Sequence, residues 1–400
     1  MRVRLRNPDR DVEVAGPITV ADLLDHLDVL PHTVLVLHDG ALVTAAHELP
    51  ADAEVEIRSV ISGGADAAPR CVVCRAPAVL EERRHRAAWC TAHLQDHVHG
   101  QIRKAIDHPP GRPASERMCS YADRLLIAVS GGKDSLALWD ALISLGYRVD
   151  GLYVGLGIGG YSQRSQQVCE RFAAERDLRL HVVDLAETYG YTTPGGASAA
   201  GRSTCGVCGL SKRYAFNRVA VEHGYDVVVT GHNLDDEAAT LLGNVLRWQD
   251  GFLARQHPVL PATGTNQVRK IKPLYRLSER ETAAYCVVRG IDYVVEECPL
   301  VDGNTGHELK AAFDLLEHAA PGLKAQFLFG FYERQQRLVD PSVEERVEVG
   351  ECTGCGMPTT GRLCAFCRQR ELILATLPMA AGATEPSDLP TANDATAVPR

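Results

Sequence analysis

The chain has 400 residues, too many for one ordinary domain, and its 45% apolar and 23% charged side chains are those of a globular protein. No apolar run reaches membrane-spanning length, and Met1–Arg6 lacks the apolar region of a signal peptide, so a cytoplasmic chain with no membrane partner is expected. The net charge of −9 excludes a simple basic nucleic-acid binder, but residues 1–64, with five Arg against 11 Asp or Glu, carry most of it and leave room for a local basic face around Arg83, Arg84, Arg86, Arg103 and Lys104.

Residues 1–64 read as a small α/β unit. Arg2–Arg6 and Val12–Val14 form a hairpin of strands, and Thr19 opens a helix carrying Ala21, Leu23, Leu24 and Leu27. Thr33–Leu37 is a strand that turns at Asp39-Gly40 into Ala41–Val43, and Glu54–Ile61 is the last strand. It stops at Ser62-Gly63-Gly64. This order with a terminal Gly-Gly resembles the ubiquitin-like (β-grasp) sulfur carriers of the ThiS/MoaD type, which implies that Gly63 and Gly64 are a sulfur-carrying terminus.

Residues 65–115 hold a linker and a first cysteine cluster, Cys71, Cys74, Cys90 and His93, and end near the break Pro109-Pro110-Gly111-Arg112-Pro113. From residue 116 to 345 the chain alternates strands and helices: Leu125–Val129, a helix from Leu136, Asp150–Val154, a helix Ser162–Glu175, Leu180–Val183, a helix Ser211–His223, and Val227–Thr230. Such alternation predicts an α/β fold with a doubly wound parallel sheet. A second cluster, Cys352, Cys355, Cys364 and Cys367, occupies residues 346–376, and the Ala-, Thr- and Pro-rich tail 377–400 reads as disordered.

Ser130-Gly131-Gly132-Lys133-Asp134-Ser135 lies between a buried strand and a helix. The glycines let backbone N–H groups turn inward, and the helix N-terminus adds positive potential, so the loop suits a phosphate or pyrophosphate. S-G-G-x-D-S is the PP-loop pattern of ATP-binding enzymes that adenylate an oxygen; Lys133 is a mobile charge there and Asp134 a candidate Mg²⁺ ligand. Thr230-Gly231-His232-Asn233-Leu234-Asp235-Asp236-Glu237 follows another strand and should face the same crevice, its acids serving Mg²⁺ or proton transfer, or Asp235 serving as a helix cap.

Most of the 13 cysteines fall in C-x-x-C or C-x-x-H pairs, which in a reducing compartment means metal thiolates more often than disulfides. The first and last clusters each supply four soft ligands in two pairs, the pattern of structural Zn²⁺. Cys205 and Cys208 follow the Gly/Ser-rich loop Gly195–Gly201, with Lys212 one turn on, and Cys298 lies 90 residues downstream. Three thiolates fit a [4Fe–4S] cluster with one iron left open; the spacing alone equally fits a redox or persulfide-forming pair. Cys119, Cys169 and Cys286 have no partner spacing and read as buried small hydrophobes.

Taken in order, these motifs, with Lys272-Pro273-Leu274 and Glu297-Cys298-Pro299, resemble the TtuA-type tRNA 2-thiouridine synthetases over residues 71–370. The resemblance implies that Cys205, Cys208 and Cys298 hold the [4Fe–4S] cluster, that Lys212 and Asp236 act in catalysis, and that ATP and Mg²⁺ lie on the PP-loop. It implies adenylation of the C2 oxygen of a tRNA uridine or ribothymidine at position 54 or 34, followed by replacement with sulfur, in a homodimer. The carrier likeness further implies an E1-like activating enzyme, and a protease that cleaves after Gly64, since Gly64 has no free carboxyl in this chain. A PP-loop tRNA-modifying ligase without sulfur transfer leaves Cys205, Cys208 and Cys298 unexplained, and a zinc-dependent RNA-binding or sulfur-carrier scaffold leaves Lys133, Asp134 and Asp236 unexplained.

Overall fold

The computed structural model describes residues 1–6, 10–29, 31, 34–59, 69–113, 115–262, 264–301, 305–338 and 349–377. Gly63, Gly64 and the tail from residue 378 lie outside the described residues. The N-terminal unit runs β1 (Arg2–Arg6), β2 (Arg10–Glu13), β3 (Ile18–Thr19), α1 (Val20–His26), β4 (Val34–His38), β5 (Ala41–Val43), β6 (Glu48–Leu49) and β7 (Glu54–Ser59). Its main sheet is ordered β2-β1-β7-β4-β5, with β1 parallel to β7 and the other pairs antiparallel. Asp39 and Gly40 both take positive φ, 49° and 77°, the mirror-image turn whose twist matches a two-residue hairpin. In β4, Val34 and Val36 pack toward α1, while Leu35 and Leu37 face the other way and, with Leu42, join the core of the main domain. Burial of both faces is why this strand is apolar without alternation.

The first cysteine module contains β8 (Leu80–Glu82), β9 (Ala87–Trp89) and α2 (Thr91–Asp107). The sequence reading did not foresee α2; its buried stripe Leu94, Val98, Ile102, Ala105 and Ile106 has helical spacing. Then follow β10 (Arg124–Val129), α3 (Lys133–Ser144), β11 (Arg148–Gly155), α4 (Gly159–Ala174), β12 (Leu180–Asp184), α5 (Leu185–Tyr189), α6 (Thr193–Ala200), α7 (Thr204–Glu222), β13 (Val227–Thr230), α8 (Leu234–Leu246), α9 (Asp250–Leu253), β14 (Val259–Leu260), β15 (Arg269–Ile271), α10 (Glu279–Arg289), α11 (Thr305–Ala319) and α12 (Leu323–Leu338). The second cysteine module is β16 (Gly350–Glu351), β17 (Pro358–Thr359) and α13 (Ala365–Thr376).

The large sheet is ordered β12-β11-β10-β13-β15-β14 and is parallel except for the edge strand β14. The chain winds outward from β10 to β12 and then returns to build the other half from β13, so the crevice opens between the ends of β10 and β13. Among the described residues no helix is long and apolar enough to cross a membrane.

Gly195–Gly201, expected as a loop, is helix α6. Thr192 Oγ1 accepts from Gly195 N at 3.2 Å, Pro194 sits in the first turn, and Gly201 ends the helix at φ 59°. Helix α7 begins at Thr204, capped by Ser203, so Cys205 and Cys208 occupy its first turns. Cys119, Cys169 and Cys286 are buried, and burial pushes the Cys119 and Cys169 thiols up to about 12.

Each cysteine module braces one helix of the main domain. The second stacks Phe366 on Tyr214 of α7, ring centroids 3.7 Å apart, and Arg218 donates to Cys355 O at 3.1 Å. The first grips α10: Arg84 pairs with the fully buried Glu281, whose carboxylate also lies 2.7 Å from His97 Nε2 and accepts from Ser278 N at 2.7 Å. Arg84 is therefore an internal anchor and not part of the basic face that its sequence neighbours suggest. Glu82 is buried in the same junction, and burial, then the Glu281 charge, push its carboxyl up from 4.5 to about 7. Between those two values the folded chain keeps a proton that the unfolded chain has lost, so this group's contribution declines as pH rises through that window. Glu82→Gln should flatten the fall in Tm from pH 5 to pH 8 and exceed wild type at pH 8; parallel Tm profiles for the two proteins would contradict the assignment.

Candidate active site

The PP-loop turns out of β10 into α3. Gly131 has φ 78°, and a Cβ there would come within 2.8 Å of Ser165 O, so both the backbone angle and the space require glycine. Gly132 caps α3, which starts at Lys133, a turn earlier than the sequence reading placed it. Gly231, directly after β13, lies so close to α3 that a Cβ would sit 3.0 Å from Ser135 N. The two glycine motifs thus meet backbone to backbone, and a cavity of ≈ 380 Å³ opens beside them.

Six of the expected nucleotide residues line this cavity: Ser130, Gly132, Asp134, Ser135, Gly231 and Asp236. Gly131 and Lys133 do not. Tyr161 and Ser165 of α4 and Lys212 and Phe216 of α7 line the cavity as well. Lys212 thus shares one cavity with Asp134 and Asp236.

A lattice of charges lies on the α8 side of this cavity. Lys133 Nζ is 3.0 Å from Asp134 and 3.6 Å from Glu279; Lys310 Nζ is 2.6 Å from Asp236 and also pairs with Glu279. Thr282 Oγ1 donates to Asp134. Burial alone would push the Glu279 carboxyl up, but Lys133 and Lys310 outweigh it and hold the group well below the ordinary carboxylate range. Burial disfavours the Lys133 charge too, and Asp134 and Glu279 more than compensate, so the ammonium is raised above its usual value. Lys133 is an ion-paired cation beside the pocket. Asp134 stays above its ordinary value because burial, with Glu279 and Asp236 nearby, exceeds the help from Lys133.

The adjacent acids of the second motif separate. Asp236 lines the cavity and closes a capping box with Asn233, whose Oδ1 accepts from Asp236 N at 3.0 Å. Asp235 turns into the core, accepts from Glu279 N at 2.8 Å and pairs with Lys324. The helix cap is therefore Asn233, not Asp235, and only one acid of the pair reaches the cavity. Glu279, Thr282 and Lys310 escaped the sequence reading. Ser278-x-x-Glu281 marks where α10 begins, but nothing local says that its first turn meets the PP-loop; Lys310 stands in a motif-free helix.

Two sets of cysteine ligands close tightly. Cys74 and Cys90 sulfurs are 3.7 Å apart, with His93 Nδ1 3.3 Å from Cys90 and 3.4 Å from Cys71; Cys355 and Cys364 sulfurs are 3.8 Å apart, in a set with Cys352 and Cys367. Zn–S bonds of ~2.3 Å at tetrahedral angles place sulfurs about 3.8 Å apart, so both donor sets fit Zn²⁺. Cys205, Cys208 and Cys298 form no set within 4.8 Å. They nonetheless share one neighbourhood. Burial pushes the Cys208 thiol up, the Lys212 ammonium opposes this, and charge on Cys298 and Cys205 adds to it; charge on Cys298 and Cys208 also reaches Tyr161 in the cavity wall. Three soft thiolates gathered beside the cavity are the donor type that a [4Fe–4S] cluster with one open iron takes.

The PP-loop domain family matches residues 95–300. A tRNA-5-methyluridine(54) 2-sulfurtransferase of Thermus thermophilus is 48% identical over 303 residues, covering 76% of this chain and 91% of its own. Its namesake from Thermotoga maritima is 39% identical, covering 76% of this chain and 97% of its own. Among solved structures, the U34-tRNA thiolase NcsA from Methanococcus maripaludis with its [4Fe-4S] cluster superposes with a TM-score of 0.62 at 22% identity, covering 76% of this chain and 97% of its own, which shows a shared fold. With the PP-loop, the crevice after β13 and relatives of this identity, the chain belongs to the PP-loop family of tRNA 2-sulfurtransferases.

Proposed function

We propose that this enzyme adenylates the C2 oxygen of 5-methyluridine at position 54 of tRNA with ATP and replaces that oxygen by sulfur. The observation that carries the reading is the position of Lys212, which lines the nucleotide cavity and at the same time acts on the Cys208 thiol. Position 54 is favoured over 34 by the relatives named for it, at 48% and 39% identity.

The PP-loop N–H groups and the N-terminus of α3 receive the phosphates. Asp134 and Asp236, hard oxygen donors on the same cavity, fit Mg²⁺ with the pyrophosphate. The C2 oxygen attacks the α-phosphorus, and the bond to the β-phosphate oxygen breaks as pyrophosphate leaves. Lys212, which lines the same cavity, neutralises charge on the adenylated carbonyl, and AMP departs with the former C2 oxygen when sulfur bonds to C2. Phe216 and Tyr161 reduce the water around the adenylate. A [4Fe–4S] cluster on Cys205, Cys208 and Cys298, when bound, supplies an iron without a protein ligand as the place from which sulfur is delivered. Two Zn²⁺ ions, one per four-ligand set, hold the modules that brace α10 and α7.

The N-terminal unit fits a sulfur carrier that serves this site in cis. Arg58, at the end of β7, lies over the Tyr293 ring at 5.9 Å, and the next residue, Val294, donates to Gly131 O of the PP-loop at 2.8 Å. Gly64 lies six residues beyond Arg58, and an extended chain gains at most about 3.6 Å per residue, which makes a tether of at most about 22 Å. Cleavage after Gly64 would free its carboxyl for an E1-like enzyme, while Leu35, Leu37 and Leu42 keep the unit seated.

Nucleoside mass spectrometry of tRNA incubated with the anaerobically prepared enzyme, ATP and sulfide tests the reading: a 2-thio nucleoside at position 54 is expected, and a sulfur-free adduct would place the chain among the ligases. Lys212→Met should lower the thiolation rate by at least about a hundredfold without releasing zinc; a rate near wild type would remove Lys212 from the mechanism. Gly131→Ala should weaken ATP binding by more than about tenfold, because its Cβ collides with Ser165 O; unchanged calorimetric affinity would contradict the placement of the phosphates.

A further inference from the structure

Among the described residues four lysines on the α8 side of the site have carboxylate partners: Lys133 and Lys310 share Glu279, Lys272 pairs with Glu237, and Lys324 with Asp235. The α7 side differs. Among the described residues Arg213 and Lys270 have no carboxylate partner, and the Arg213 charge reaches Lys270. Asn217 of α7 accepts from Val268 N at 3.0 Å and donates to Asn266 O at 2.8 Å, which fixes the helix over the start of β15. Arg213 is four residues before Asn217, about 6 Å along the helix. Lys270 is two residues after Val268, ~6.6 Å along the strand and on the same face. Ile271 faces the opposite core, with Val229 and Ile127. Arg213 therefore stands over Lys270, and the Lys270 ammonium is pushed below its ordinary value by burial and then by the Arg213 charge. The guanidinium lies along the turn at Gly209, with Nη1 only 3.0 Å from where a Cβ would be.

Arg213 is exposed, and the one internal negative charge it meets is that of the Cys208 thiolate; among the described residues no carboxylate neutralises it or Lys270, so the pair is open to an external anion. Arg213 offers a planar fork of donors that matches phosphate, and Lys270 adds a point charge beneath it. Lys212 and Phe216, neighbours of Arg213 on α7, line the cavity one turn or less away. We propose that Arg213 and Lys270 bind a backbone phosphate of the RNA substrate next to the nucleotide whose base enters the cavity. The inference rests on the tRNA reading above and adds to it a register-setting contact outside the nucleotide pocket.

The test is tRNA affinity across a series of salt concentrations, with ATP affinity measured on the same preparations. Arg213→Gln and Lys270→Gln should each weaken tRNA binding by roughly tenfold, and the double variant should lower the slope of log affinity against log salt by about one. ATP affinity should not change. Arg213→Lys and Lys270→Arg keep the charges and should restore the slope, which a folding defect would not allow. An unchanged slope and affinity in the double variant overturns the proposal, as does a loss of ATP binding with tRNA binding intact. A wild-type enzyme without tRNA affinity overturns the functional reading itself and takes this inference with it.

Discussion

Glu279 is the group on which the site closes. Its carboxylate is shared by Lys133 of the PP-loop helix and Lys310 of α11, and Lys310 continues to Asp236. The strands that deliver the two glycine motifs bring backbones together, but it is this buried carboxylate that gives two lysines and two aspartates fixed positions around the nucleotide pocket. Removing it would leave Lys133 with Asp134 alone and Lys310 with Asp236 alone in a region where burial already disfavours charge. Asp134 and Asp236 stay at the cavity wall because their cationic partners are held from behind, which leaves their cavity-facing surface for ligands.

The cysteine modules matter to chemistry through the helices they hold. The first fixes the start of α10 by Arg84 and His97 on Glu281, and Glu279 and Thr282 lie in that same first turn. The second fixes α7 by Phe366 on Tyr214, one turn or less from Lys212 and Arg213. Helix α10, behind the PP-loop, is therefore braced by the module before the PP-loop domain, and α7, which lines the cavity, by the module after it. Small loop-rich units of this size have little apolar core of their own, so ligand-held folds are the economical way to build such braces.

Local chemistry was readable in the chain before any coordinates. Ser130–Ser135 carried its phosphate geometry in two glycines and a following helix, and the cysteine pairs carried their ligand spacing. What was not readable depends on contacts between distant segments. Thr282 reaches Asp134 across 148 residues, and Arg84 reaches Glu281 across 197. Neither partner has a motif that names the other. Some local signals were also outvoted: Gly195–Gly201 looked like a loop, yet Thr192, Pro194 and three alanines stabilise a short helix there, and Asn233 took the cap that Asp235 also suited. The lattice was invisible because a lone Glu in a helix start is ordinary, and only the fold turns it toward Lys133.

The proposed function requires adenylation in the pocket to be coupled to sulfur insertion beside Lys212. The direct measurement is the stoichiometry of nucleotide product to 2-thio nucleoside during turnover with tRNA. One AMP formed per sulfur inserted is predicted. Formation of ADP in place of AMP, or sulfur insertion without ATP consumption, would contradict it.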